Sequence, residues 1–280
     1  LEQGIRSLPD KLDGATWLNY VRCHDDIGLG FDDADIIRAG YEPRSHRRFL
    51  VEWYTGEFED SPARGRPFGQ DLETGDARIA GSLASLAGLE SALELGDEEG
   101  IQRCIDRILL LHGMIMSFGG IPLLYYGDEI GLLNDYSYTE EEDKAGDSRW
   151  IHRAPIDWEK AARRNQQGTV EQRLFAGLSR MIAVRKSTPA FADYNNRELI
   201  GTGNPHLFAF MRSNPFEVSD NVLVVGNFDD APQSLSLSDI GNRGQFRFGR
   251  LRDLYSGQSP LMFKDQLVIP PFGFYWLTDR

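Results

Sequence analysis

The chain has 280 residues, of which 41% are apolar and 26% charged, with a net charge of −13. That length accommodates one large domain or two ordinary ones around a sizeable core. The negative charge argues against general nucleic-acid binding and against anionic membrane. Two cysteines, Cys23 and Cys104, are too few for a disulfide framework or a cysteine-rich metal site.

The N-terminal stretch LEQGIRSLPDKLDG reads as the tail of a helix, with Leu1, Ile5 and Leu8 on one side. No basic segment leads into an apolar run, so no signal peptide is expected and a cytoplasmic setting is favoured. The first residue is not methionine, and the expectation is a chain that begins inside a longer protein. ATWLNYVRC (15–23) is short, apolar and aromatic, which predicts a buried strand containing Cys23. The mixed region 27–100 is too long for a bare loop and predicts an inserted subdomain, with the small-residue run ARIAGSLASLAGLESAL compatible with helix.

IQRCIDRILLLHGMIMS (101–117) predicts a helix with Ile101, Cys104, Ile105, Ile108, Leu109, His112 and Ile115 on one stripe. His112 is expected in the core and both thiols reduced and buried. IPLLYYG (121–127) predicts a second buried strand, followed by an acidic loop to about Gly168. A helix is expected over 170–186, burying Leu174, Phe175, Leu178, Met181 and Ile182. Strand, insertion, helix, strand, loop, helix is the order of βα units in a barrel or doubly wound sheet. From about residue 188, short apolar runs between Asn, Gly, Pro and Asp turns predict an antiparallel β domain. They are HLFAFMR, NVLVVGNF, QSLSLS, FRFGRLRDLY and LVIPPFGFYWL. The glycine-containing stretches 65–75 and 241–249 fit turns. No apolar run is long enough to span a membrane.

The chemistry concentrates at VRCHDDIG (21–28), where His24, Asp25 and Asp26 follow an apolar run. Neighbouring carboxylates repel unless cations or a substrate offset them. Arg47, Arg48, Arg78 and Arg149 are the available cations, and Gly28 and Gly30 permit the turn that a compact acid pair needs. Asp128 and Glu129 in GDEIG (127–131) are expected to be solvated loop charges. His46, His152 and His206 lack metal-ligand spacing, so no metal is expected. Phosphate-loop, dinucleotide and serine-hydrolase motifs are absent, and no cofactor is expected.

NYVRCHDDIG (19–28) resembles the seventh-strand motif of the α-amylase superfamily of retaining glycosidases and transglycosylases, in the doubled-aspartate form of its sucrose-using branch, amylosucrase and sucrose hydrolase. GGIPLLYYGDEIG (119–131) resembles the eighth-strand motif. DSRWIHR (147–153), MIAVRKSTPAF (181–191), LRDLYSG (251–257) and IPPFGFYWL (269–277) resemble amylosucrase segments in order, so the likeness spans nearly the whole chain. It implies the C-terminal part of a TIM (β/α)8 barrel over 1–187, with strands seven and eight and the insertion at about 27–100. An antiparallel β-sandwich over 188–280 would follow.

By the same resemblance, Asp25 would stabilise an oxocarbenium-like transition state and His24 would hydrogen-bond the same glucosyl unit. Asp26 and Arg78 would border the fructosyl or acceptor subsite, and Arg47 would line its mouth. Arg149 would close the glucose pocket by pairing with an aspartate outside this chain. Gly69 departs from relatives that carry Gln directly after Phe. Retaining glycosidases need a nucleophile and an acid/base about 5 Å apart, and the family's Gly-x-Arg-x-Asp motif and following Glu do not occur here.

The expectation is therefore the C-terminal segment of an enzyme acting on sucrose with an α-glucan or other sugar as acceptor. This segment would need the N-terminal part for activity and would expose open strand edges without it. Sucrose hydrolase, trehalose synthase and sucrose isomerase are the alternatives within the family. A non-catalytic carbohydrate-binding protein is the alternative outside it.

Overall fold

The computed structural model describes residues 2–71, 73–193, 195–214, 216–217, 220–240 and 250–279, in two units. The first unit comprises Leu1–Tyr20, Leu109–Leu123 and Ala176–Arg280. Its main part is antiparallel, as the C-terminal apolar runs predict. β5 (Arg197–Ile200), β6 (Leu207–Arg212), β7 (Val222–Asn227), β12 (Phe274–Thr278) and β9 (Arg252–Asp253) form a five-stranded sheet in that order. β10 (Met262–Phe263), β11 (Gln266–Ile269) and β8 (Gln233–Ser236) form a three-stranded sheet, and α9 (Leu237–Ile240) follows β8. Of the strand expected over 246–255, the described residues 250–255 hold β9, and 241–249 lie outside the described residues.

Alternation explains why β6 and β7 are buried at every position. Leu207, Ala209, Met211, Leu223, Val225 and Leu277 share a core with Leu235, Leu267 and Ile269 of the smaller sheet, which makes a sandwich. The opposite face meets the C-terminal half of α6 (Glu98–Phe118). Phe118 packs edge-on to Phe210 at 5.7 Å. A Cβ on Gly113 would lie 3.0 Å from the Phe274 ring, so a larger residue there would press on that ring. With apolar contacts on both faces, the strands read as continuous apolar runs.

Three arginines close the end of α6, where carbonyls lack helical partners. Arg185 donates to Met116 and Gly120, Arg212 to Ser117, and Arg197 to Phe118. Burial lowers the pKa of all three guanidinium groups.

The same unit holds α1 (Glu2–Arg6), β1 (Leu18–Asn19) and β4 (Ile121–Pro122). β1 and β4 pair in parallel, Leu18 with Ile121 and Asn19 with Pro122. These strands are far shorter than the runs 15–23 and 121–127, because among the described residues each has one ladder partner over two positions. Leu18 and Ile121 are 60% and 53% exposed, so the expected burial does not hold. Helix α8 (Val170–Ser187) buries Leu174, Leu178 and Met181, but Phe175 and Ile182 are exposed, which narrows the expected face.

The second unit comprises Val21–Ile108 and Leu124–Phe175. In it, α2 (Asp33–Arg38) is capped by Asp32, which accepts from Ala34 N–H. Helix α3 (Pro43–Thr55) starts with proline in its first turn and ends at Gly56 with φ +80°. β2 (Arg66–Phe68) and β3 (Arg78–Ala80) pair antiparallel, and α4 (Leu83–Leu86) and α5 (Leu89–Leu95) follow. Ile79 points into a core with Leu29, Val51, Ala77 and Leu86, which leaves its neighbour Arg78 facing outward. α7 (Trp158–Ala162) follows a run of 3-10 turns, among them Ser148–His152.

His112 is buried, as expected. Both cysteines are free; Cys104 is buried, whereas Cys23 lies outside β1 and is partly exposed. No described helix is long and apolar enough to cross a membrane.

Candidate functional site

Residues 21–31 have no extended ladder, and their path is held by a few long-range bonds. Ile27 and Ile79 form one antiparallel bridge, with N–O distances of 2.7 and 2.9 Å. Upstream, the buried Arg22 donates from Nε to the Gly81 carbonyl at 3.0 Å. Between these anchors the adjacent carboxylates take different surroundings. Asp26 turns inward, its side chain 8% exposed, with Arg78 Nε 3.4 Å away. Asp25 is half-exposed, with Arg149 Nη1 and Arg153 Nη2 each at 3.6 Å and His24 Nε2 at 3.4 Å. The repulsion evident in the sequence is thus offset separately for each acid.

The arginines are themselves held in place. Phe68 pairs with Arg78 across β2 and β3. Its ring lies 4.6 Å from the Arg78 guanidinium and 4.5 Å from that of Arg149. Gly69, with φ +60°, sits so near that a Cβ would lie 3.1 Å from Arg78 Nη2, and any larger residue there would press on this arginine. Arg149 forms a forked pair with Asp147, Nε to Oδ1 at 2.9 Å and Nη2 to Oδ2 at 2.8 Å. That hydrogen bonding pulls the Asp147 carboxyl down to about 2. The described partners of Arg149 are therefore Asp147 and Asp25, both within this chain.

Beneath the acids, the His24 carbonyl accepts from Arg153 Nε at 2.9 Å and meets His152 Nε2 at 3.1 Å. His152 is 1% exposed, and burial lowers it to about 4, with Arg22 adding to the effect. Asp128 contradicts the expectation of a solvated loop charge. It is 7% exposed, and burial raises it to about 8 against the pull of Arg22. The reason is local: Gly127 and Gly131, both at positive φ, fold 128–130 into a tight 3-10 turn that tucks Asp128 inside.

The structure brings His24, Asp25, Asp26, Arg78 and Arg149 together. The described partners of Arg47 are others: its guanidinium donates to the Phe31 carbonyl at 2.5 Å and pairs with Asp33, joining α3 to the start of α2. Sequence reasoning does not single out Arg22, Asp128, His152 or Arg153 as site residues. Arg22 alone carries a usable signal, an arginine inside a run that otherwise predicts burial.

Cys23, His24 and Asp25 offer ligand atoms within 4.8 Å of one another, a donor set with the chemistry for zinc. Two guanidinium groups 3.6 Å from Asp25 oppose a cation there. The cluster instead suits a neutral, hydroxyl-rich ligand, with exposed carboxylate and imidazole acceptors beside fixed guanidinium donors.

Residues 197–276 match the family model described as Maltogenic Amylase, C-terminal domain. Glucosylglycerate phosphorylase from Escherichia coli (strain K12) is 29% identical over 222 residues, covering 74% of this chain and 35% of that protein. Trehalose synthase/amylase TreS from Mycobacterium tuberculosis (strain ATCC 25618 / H37Rv) is 27% identical over 198 residues, covering 61% of this chain and 31% of that protein. Alpha-1,4-glucan:maltose-1-phosphate maltosyltransferase from Bifidobacterium longum (strain NCC 2705) is 30% identical over 161 residues, covering 52% of this chain and 19% of that protein. Among solved structures, AmyP in complex with maltose matches with a TM-score of 0.49 and 20% identity, covering 69% of this chain and 38% of that one. The chain spans about a third of the length of the first two of these relatives.

Proposed function

We propose that this chain, related to the C-terminal part of α-amylase-family enzymes, contributes one wall of the glucosyl site of a retaining α-glucosyl transferase or hydrolase. The observation that carries the reading is the half-exposed Asp25 carboxylate beside His24, flanked by the fixed guanidinium groups of Arg149 and Arg153. Asp25 accepts from sugar hydroxyls and stabilises positive charge developing at the anomeric carbon, as a preorganised carboxylate does when charge builds nearby. His24 binds the same sugar. Arg149 and Arg153 flank Asp25 and hold its carboxylate in one orientation. Asp26, Arg78 and Gly69 border the neighbouring subsite, with Arg47 at the edge of the inserted segment. The nucleophile and the acid/base come from the rest of the enzyme, and no cofactor takes part.

The proposed donor is sucrose, transferred to an α-glucan or to water, on the strength of the amylosucrase-like run HDDIG and the DSRW segment. A second reading, trehalose interconversion or phosphorolysis of a glucosyl glycerate, is favoured by the names of the matched relatives. One assay separates them. The complete protein is incubated in parallel with sucrose, trehalose, maltose, and glucosylglycerate plus phosphate. Fructose released from sucrose at the highest kcat/KM supports the first reading. Faster turnover of trehalose or phosphate-dependent turnover of glucosylglycerate replaces it with the second. No turnover of any of the four rejects both in favour of a sugar-binding role.

A further inference from the structure

The imidazole of His152 is bonded at both ends to backbone. Gly81 N–H donates to Nδ1 at 3.1 Å, and Nε2 lies 3.1 Å from the His24 carbonyl. An amide N–H only donates and a carbonyl only accepts, so the partners fix the tautomer: Nδ1 bare, Nε2 protonated, ring neutral. These two contacts join the turn that carries Asp25 and Asp26 to the end of β3, the strand that carries Arg78. Arg22 adds a third tie from Nε to the Gly81 carbonyl.

We propose that His152 is a positioning residue, a neutral bracket that sets the His24–Asp26 turn against the Arg78 strand. The proposal rests on the glucosyl-site reading above. His152 touches no sugar; it acts through the His24 carbonyl, next to Asp25, where an ångström of drift is costly to catalysis. The charged and titratable groups facing the ring are Arg22, Arg153, Asp147 and Tyr125. Arg22 and Arg153 are both cationic and oppose a second proton on the ring.

The test has two arms. In the 15N-labelled complete protein, ring-nitrogen NMR reads the tautomer directly. A bare Nδ1 and a protonated Nε2 down to about pH 5 are expected from the lowered His152 pKa. The opposite tautomer, or protonation near the ordinary value of about 6.5, overturns the bracket. In the complete protein, two substitutions each keep one end. His152→Asn offers an oxygen to Gly81 N–H but cannot reach His24. His152→Gln donates to His24 but leaves Gly81 unpaired. At similar melting temperatures, His152→Asn is expected to lower kcat by about 10–100-fold with little change in KM, and His152→Gln to lower it several-fold less. Equal losses, or losses that follow melting temperature alone, would make His152 purely structural. If the unmodified complete protein turns over no glucoside, the glucosyl-site reading fails, while the NMR arm still decides the bracket.

Discussion

The C-terminal sandwich and the His24–Arg153 cluster are held together by opposite means. In the sandwich, β6 and β7 are buried at every position and tied by a continuous antiparallel ladder, so each strand is specified by its own apolar run. In the cluster, the strands are three residues or fewer, and the path of the acids depends on single side-chain-to-backbone bonds across long separations. His152 reaches His24 over 128 residues. Redundant ladders tolerate the loss of one bond, whereas the cluster rests on a handful of separate ties: the Ile27–Ile79 bridge, Arg22 to Gly81, and Arg153 and His152 to the His24 carbonyl. Substitutions in the sandwich should therefore cost stability, and those in the cluster should cost geometry.

The largest stability effect is expected at Trp276, which is fully buried and rings Phe191, Phe274 and Tyr255 at 4.9, 5.6 and 6.1 Å. Trp276→Ala should lower unfolding free energy by about 3–5 kcal/mol, read from denaturant midpoints; a loss under about 1 kcal/mol would break the contrast. Next comes Asp253, buried, whose carboxylate accepts from the Trp276 and Ser256 amides at 2.9 and 2.8 Å. Asp253→Asn, which weakens charge-assisted bonds but keeps the shape, should cost about 1.5–3 kcal/mol on the same measurement.

The cluster should differ in its response to pH. His152 has a lowered pKa in the folded state, about 4, so the unfolded chain binds its proton first as pH falls. Its contribution is present above the ordinary histidine value of about 6.5 and is lost as pH falls through that window towards 4. Asp128 has the opposite sign. Its folded pKa is raised to about 8, so stability declines as pH rises from the ordinary carboxylate range to 8. Asp128→Asn should flatten that decline, and His152→Gln should flatten the acid-side loss, both followed by thermal melts from pH 4 to 9. An unchanged pH profile in either variant would contradict the burial argument. At the bottom of the scale, Arg48→Ala removes a helical pair with Glu52 whose arginine side chain is 70% exposed. Its effect should stay within about 0.5 kcal/mol.

The same contrast explains what was legible in the sequence. Burial on both faces prints a continuous apolar run, and HLFAFMR and NVLVVGNF predict β6 and β7 almost to the residue. Runs 15–23 and 121–127 look identical in kind, yet only Leu18–Asn19 and Ile121–Pro122 form a ladder and Leu18 and Ile121 stay exposed, because an apolar run does not name the neighbour that would cover it. The cluster was half legible. Three ionisable groups after an apolar run mark His24, Asp25 and Asp26, and the Arg78 and Arg149 motifs point to their counterions. Arg153 and His152 carry no local pattern, since their role comes from distant backbone atoms that the fold supplies; Arg22 shows only as a charge inside an apolar run, and Asp128 is tucked in by the tight turn between Gly127 and Gly131. Arg47 shows the converse: its motif points to the site, while its side chain stays with Phe31 and Asp33.

The central claim is that Asp25 serves sugar chemistry and not folding. Asp25→Asn in the complete protein tests it, with turnover of the preferred glucoside and the denaturant midpoint measured on one preparation. The account predicts a kcat lower by about 10²–10³-fold and an unfolding free energy unchanged within about 0.5 kcal/mol. Turnover within a few-fold of the original, or a loss of activity matched by a loss of stability, would contradict it.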